Sequence, residues 1–228
     1  MLSDKERREF RNLTQNTPEW LTARRGRVTA SRCADVIRKL KNGKYSADRY
    51  SYLMDLMTEH LTGRAIETYV SEAMAWGIEQ QPFAQAAYEM AEDVSVDDVG
   101  LIVHPTIENF AASPDGLVGS MALVEFKAPT TRVHIEYLQA GVIPEDYIPQ
   151  MNAQLACMPE REYCDFVSYD PRLPHGLQLF VRRHYRDKER IAELEEEVGK
   201  FLEELAAMLQ GLKLARPIVT ELVAHESL

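Results

Sequence analysis

The sequence predicts an α/β (α+β) fold in which helices flank a central mixed β-sheet. Three observations lead there. Apolar residues recur at helical spacing toward both ends of the chain, the stretch from Val94 to Lys127 breaks into short apolar runs, and two more strand-like runs follow a later helix.

Residues Ser31 to Leu40 place Cys33, Ala34, Ile37 and Leu40 at helical spacing, and the preceding Val28-Thr29-Ala30-Ser31 supplies an N-cap. Helices are also expected over Tyr50–Thr62 and Glu67–Ala91. In the second of these, Trp76, Phe83, Ala87 and Met90 recur near the helical period, and Gly77 and Pro82 are candidate breaks. The runs VGLIVHP, NFAASPDGLV and MALVEFK, separated by Asp, Gly, Pro and Asn, read as strands joined by turns. Ile148–Met158 reads as a helix, and Tyr163–Tyr169 and Gly176–Tyr185 as two strands around the turn DPRLPHG. Asp187–Leu212 is a last helix, with Ile191, Leu194, Val198, Phe201, Leu205 and Met208 in steps of three and four. A single apolar stripe of this length fits packing on its own sheet better than a dedicated partner helix. With no repeat and no low-complexity linker, residues 1–228 read as a single domain. Its parts are a basic segment over 1–49, a sheet core over 94–185 and the terminal helix over 187–212.

A chain of 228 residues that is 45% hydrophobic and 27% charged can bury a substantial core, which excludes disordered, collagenous and disulfide-stapled classes. The net charge of −10 argues at first against a nucleic-acid binder. Its distribution removes that exclusion: Met1 to Arg49 holds 13 basic and 6 acidic residues, net +7, leaving −17 for the remainder. A local patch, not the sum, decides which ligand is attracted. Cys33, Cys157 and Cys164 are odd in number and lack a CxxC spacing, so free thiols in a reducing cytoplasm are expected. No apolar leader and no membrane-spanning run is present, so neither secretion nor membrane insertion is expected.

Two neighbouring segments carry chemistry: Ser113-Pro114-Asp115-Gly116 and Val124-Glu125-Phe126-Lys127. Strand alternation sends Glu125 and Lys127 to one face and Val124 and Phe126 to the other. A hairpin through Gly119 and Ser120 would bring the Asp115 carboxylate beside that of Glu125. Two adjacent carboxylates are costly without a cation, and hard oxygen donors favour magnesium or manganese over zinc. That arrangement suits phosphodiester hydrolysis, with Lys127 next to the metal-bound water, where it would orient the nucleophile or neutralise charge developing on the phosphorane. Taken singly, an SPDG turn and an ExK pair on a strand are ordinary surface features; their separation and parity together favour a nuclease.

Asp115 followed by Glu125-Phe126-Lys127 resembles the PD-(D/E)XK nuclease motif. The wider pattern is similar to the lambda exonuclease, or YqaJ-like viral recombinase, family. It runs through Trp20, Arg24-Arg25-Gly26, Thr29-Ala30-Ser31, Ala75-Trp76-Gly77, His104-Pro105, Ala111 to Leu117, Val124 to Pro129, Tyr147 to Gln154 and Tyr169-Asp170-Pro171. The resemblance implies a restriction-endonuclease-like nuclease core. It implies a magnesium-dependent 5′→3′ exodeoxyribonuclease acting on linear double-stranded DNA in a bacterial or phage-infected cell. Such an enzyme releases 5′-mononucleotides and leaves a 3′ single-stranded tail for an annealing protein, usually as a homotrimeric ring. Two Mg2+ ions are implied, with Mn2+ expected to substitute. Asp115, Glu125, Lys127 and Gln150 then stand as catalytic residues, with Gln154, one turn later, as the alternative to Gln150. Asp115, Glu125, the Phe126 backbone carbonyl and Gln81 stand as metal ligands. Arg24 and Ser31 are expected at the terminal 5′-phosphate, where an arginine fork and a hydroxyl at a helix start suit an anion. Lys41 and Lys44 are expected against DNA. His104 heads a His-Pro turn and is read as structural.

One position departs from the family pattern, because Gln81 stands where a glutamate is expected. An amide can bind a metal through oxygen but brings no charge. A weaker metal site, compensation by Glu79, or a deliberate Glu→Gln change each account for it. Two other readings are a structure-specific or single-strand repair nuclease of the same fold, and a non-catalytic DNA-end-binding scaffold. Cleavage of circular DNA would favour the first, and the unbroken set Asp115, Glu125 and Lys127 argues against the second.

Overall fold

A computed structural model describes residues 2–66 and 71–214. Among the described residues eight strands form two sheets. Strands β2 (Val96–Asp97), β5 (Gly116–Val118), β6 (Ala122–Lys127), β7 (Tyr163–Tyr169) and β8 (Leu179–Tyr185) lie side by side in that order. β6 and β7 run parallel and the other pairs antiparallel, so the sheet is mixed as expected. The smaller sheet has the order β1 (Val28–Thr29), β4 (Phe110–Ala112), β3 (Ile102–Val103).

The parallel β6–β7 pair requires a crossover, supplied by α6 (Thr131–Ala140) and α7 (Ile148–Cys157). α7 follows directly on a 3-10 turn over Glu145–Tyr147 and has Pro149 in its first turn, where a missing N–H costs nothing. It is buried from Met151 to Cys157 and packs with α3 (Cys33–Ile37), α4 (Ala47–Thr62) and α8 (Lys188–Leu214) over one face of the strands. α5 (Glu72–Glu92) covers the other face, where Ala84 and Tyr88 meet Val124, Phe126 and Val167. On α8, the expected stripe from Ile191 through Leu205 is buried against this core, so the helix does pack on its own domain. Among the described residues no helix is long and apolar enough to cross a membrane.

Several elements differ from their expected form. The helix expected over Ser31–Leu40 opens as a 3-10 turn, Ala30–Arg32, and its α-helical part stops at Ile37. Beyond it Lys39 bridges to Tyr45 around Asn42-Gly43, whose glycine has φ 79°, and Leu40 is left exposed. α4 starts earlier than expected, after Ser46. α5 runs unbroken through Pro82, and Ser71 caps its start; residues 67–70 of the expected helix lie outside the described residues. Its buried face is Gln80, Ala84 and Tyr88, whereas Phe83 (57% exposed) and Met90 (84%) point outward. On this face Tyr88 keeps its hydroxyl buried by donating from Oη to the buried Asp165 carboxylate at 2.8 Å. The strand expected from Gly176 starts at Leu179, after a 3-10 turn over His175–Leu177. Three helices were not expected: α1 (Asp4–Arg11), α2 (Pro18–Arg24) and α6.

Candidate active site

β5 and β6 form a tight antiparallel pair with Gly116 opposite Val124, so the next residue outward, Asp115, stands opposite Glu125. Gly116 is required here, since a Cβ would sit 2.1 Å from Val96 Cγ1. The loop before it is clamped from the N-terminal region: Trp20 Nε1 donates to Ser113 Oγ at 3.0 Å and Gln15 Nε2 to the Pro114 carbonyl at 2.8 Å. Along β6, alternation buries Val124 and Phe126 against α5, as expected, and turns Glu125 and Lys127 toward α7.

The Phe126 N–H donates to Asp115 Oδ2 at 2.7 Å. Glu125, only 3% exposed, accepts from Lys127 Nζ and from Gln150 Nε2 (2.6 Å) at Oε1, and from Gln154 Nε2 at Oε2. Gln150 and Gln154 therefore both reach Glu125, one helical turn apart. Lys127 Nζ also stands 5.0 Å from the centre of the Tyr147 ring. Burial, and after it the Glu125 carboxylate, raises the Asp115 carboxyl to about 8, against the opposing pull of Lys127 and the Phe126 N–H. Burial works to lower the Lys127 ammonium, but Glu125 and then Asp115 outweigh it and hold it above its ordinary value.

Asp115, Glu125, Phe126, Lys127 and Gln150 line a cavity of about 530 Å3, whose wall also includes Arg24, Ser31 and Gln81. Arg24 Nη2 donates to Thr29 Oγ1 at 3.1 Å and Ser31 Oγ at 3.3 Å, and its guanidinium lies over the Trp20 ring, 5.2 Å from the centre. Ser31 sits within the 3-10 turn instead of capping an α-helix. Lys41 and Lys44 are not in this wall: they occupy the exposed turn that Lys39 and Tyr45 tether to Glu197 of α8. Glu79 is exposed and outside the wall, whereas Gln81, from the same helix, lines it. His104 is 3% exposed; its Nδ1 accepts from the Ile107 N–H at 3.0 Å and its Nε2 meets Glu195 at 3.0 Å, away from the cavity. Trp20, by its ring, and Gln15 were not read as site-builders, although Trp20 falls in the family pattern.

Among the described residues no group of three or more His, Cys, Asp or Glu side chains is placed to hold a metal ion, and the acidic side chains lining the cavity are those of Asp115 and Glu125. Two carboxylates fit an ion of the magnesium class, which takes one or two of them and fills its other positions with water and substrate phosphate. Burial first, and the neighbouring Glu125 carboxylate second, make an ionised Asp115 costly in this cavity without a cation beside it.

A YqaJ-like viral recombinase domain matches residues 19–160. The structure is similar to that of an alkaline exonuclease from Laribacter hongkongensis, with 47% identity and a TM-score of 0.81 over 87% of this chain and 97% of the other. The complex of that enzyme with dAMP aligns over the same shares at 46% identity and a TM-score of 0.81. A phage-related exonuclease from Haemophilus somnus 129PT shares the fold, at 15% identity and a TM-score of 0.61 over 82% of this chain and 96% of its own. The comparison with curated proteins found no match. The match to the domain over most of its length makes this chain a member of the YqaJ-like viral recombinase family, a nuclease of the lambda-exonuclease-like type.

Proposed function

We propose that the protein is a metal-dependent 5′→3′ exodeoxyribonuclease acting on linear double-stranded DNA, using Mg2+ held by Asp115 and Glu125, with Mn2+ able to substitute. The observation that carries this reading is one cavity holding two chemistries. Arg24 and Ser31 offer an anion site, and Asp115, Glu125 and Lys127 offer a hydrolytic centre. The alkaline exonuclease from Laribacter hongkongensis, 46% identical in its complex, was crystallised with dAMP, a nucleoside monophosphate of the product class.

A divalent cation supplies activation of water and neutralisation of charge on the scissile phosphate. The chain's own residues do the rest. Asp115 and Glu125 carry the ion-binding charge, and the Phe126 carbonyl and the neutral Gln81 oxygen are further donors for it. Because Gln81 brings no charge, a second ion would be held more weakly than the first. Lys127 presents an ammonium to the phosphate as negative charge builds on it. Gln150, on the cavity wall, donates to the same Glu125 oxygen as Lys127 and holds the carboxylate in place. Arg24 grips the terminal 5′-phosphate with charge-assisted hydrogen bonds, stiffened by its stacking on Trp20. Water adds to phosphorus, the bond from phosphorus to the 3′-oxygen breaks, and that oxygen leaves with a proton as the 3′-hydroxyl of the released 5′-mononucleotide. The remaining strand starts with a new 5′-phosphate, so the same anion site receives each successive end. The product duplex carries a 3′ single-stranded tail, the substrate of an annealing protein in recombination. A homotrimeric ring enclosing the duplex would keep the enzyme on its substrate.

The test is a time course on linear duplex with 5′-phosphate or 5′-hydroxyl ends and on closed circular duplex, each with Mg2+ or EDTA. Mononucleotides are expected from the phosphorylated linear duplex with Mg2+, and neither cleavage of the circle nor release in EDTA. Cleavage of the circle would instead favour a structure-specific nuclease.

A further inference from the structure

Behind the cavity lies a buried pair that the chemistry above does not use. Gln154 of α7 and Cys164 of β7 are both 0% exposed. Gln154 Nε2 donates to Glu125 Oε2, and the Cys164 thiol donates to Gln154 Oε1 at 3.5 Å. A primary amide can present either end to a neighbour, but these two neighbours differ in kind. The carboxylate only accepts, and the thiol brings the hydrogen, so the amide is satisfied in one orientation alone.

We propose that Gln154, locked in that orientation by Cys164, is a positioning residue that fixes the Glu125 carboxylate for ion binding. The inference rests on Glu125 being a metal ligand. At Oε1 the carboxylate is held by Lys127 Nζ and Gln150 Nε2, and both of those side chains line the cavity where substrate enters. Gln154 does not line it, so its bond to Oε2 persists whatever fills the cavity. An oxygen with two lone pairs accepts one amide hydrogen and keeps the other pair for an ion. A hydrogen bond to a ligating carboxylate sets its direction and basicity, and removing such a partner weakens metal affinity or activity by about 10- to 100-fold. A glutamine that merely satisfied itself in the core would stabilise the fold without changing ion affinity.

The experiment is a calorimetric titration of the full metal-free chain with Mn2+, paired with steady-state hydrolysis of linear duplex across a Mg2+ series and with thermal unfolding in the absence of ions. In Gln154→Met, which keeps the volume and drops the amide, Mn2+ binding is expected to weaken by about 10- to 100-fold. The Mg2+ requirement should rise in parallel while the KM for DNA stays put. Cys164→Ala should show a smaller loss, rescued by Cys164→Ser, whose hydroxyl donates to the same carbonyl. Wild-type Mn2+ affinity in both Gln154→Met and Cys164→Ala would overturn the inference, as would equal losses in Cys164→Ser and Cys164→Ala. If the wild-type chain bound no Mn2+, the metal reading itself would fall and this inference with it. If the wild type binds and Gln154→Met binds equally, only the inference falls.

Discussion

Metal binding by this protein should depend steeply on pH, and the reason is the Asp115 carboxyl. Burial and then Glu125 raise it to about 8, so in the metal-free protein it carries a proton at neutral pH. An ion that needs the carboxylate must displace that proton, and protonation therefore competes with binding. The sign follows: apparent affinity rises with pH up to about 8 and levels off above it. For one competing proton, going from about pH 8.5 to about pH 6.5 weakens binding roughly 25-fold, or about 1.9 kcal/mol. Calorimetric Mn2+ titrations in two buffers of different ionisation enthalpy measure both the affinity and the protons released. About one proton per ion is expected at pH 6.5 and about a quarter of one at pH 8.5. An affinity constant over this range, with no proton exchanged, would refute the reasoning. So would an Asp115→Asn variant that kept the wild-type slope.

Other perturbations test separate parts of the site. Gln81→Glu should raise hydrolysis by about tenfold at low Mg2+ and progressively less as the ion saturates, because it restores a charged donor on the cavity wall; equal or lower activity throughout a metal titration would remove Gln81 from the ion site. Arg24→Ala should erase the preference for 5′-phosphorylated over 5′-hydroxyl ends, a loss of about ten- to a hundredfold in kcat/KM from charge-assisted hydrogen bonds. Away from the cavity, Asp170 is 0% exposed and paired with Arg172, itself 46% exposed in its side chain. Burial alone would raise the Asp170 carboxyl, but the hydrogen bonds from Arg172 and Thr131 hold it below its ordinary value. Its contribution is present above the unfolded-state value and is lost as pH falls through the folded-state one. Arg172→Ala should cost about 1 kcal/mol in urea unfolding at neutral pH, discounted for the exposed partner, and the difference should shrink in acid; a penalty independent of pH would assign it to lost packing on Trp76 instead.

The strand that carries Glu125 and Lys127 was legible because its information is local. Ten residues separate Asp115 from Glu125, a glycine turn joins them, and strand parity alone assigns Glu125 and Lys127 to one side. The α5 face was misread for the opposite reason. Phe83 and Met90 carry the strongest apolar signal and face outward, while the inward face relies on Ala84, Gln80 and the hydroxyl of Tyr88 on Asp165. α1 has no buried residue and hence no apolar period, although its capping box, Ser3 with Glu6, stood in the sequence. The same is true of Thr17-Pro18, which caps and starts α2. The family resemblance put Lys41 and Lys44 against DNA together with Arg24; of the three, Arg24 lines the cavity, while the two lysines occupy the exposed turn outside it. The clamps of Gln15 and Trp20 on the Asp115 loop span more than ninety residues of sequence, and no local signal reaches that far.

The most direct test of the hydrolytic centre is single-turnover cleavage of 5′-phosphorylated linear duplex by Lys127→Ala, with duplex affinity measured in parallel. Lys127 bonds Glu125 and lines the same cavity as Arg24 and Ser31, so its removal should slow the chemical step by about 10²- to 10⁴-fold and leave DNA affinity within about twofold. A variant that bound duplex normally and cleaved it at the wild-type rate would contradict the account.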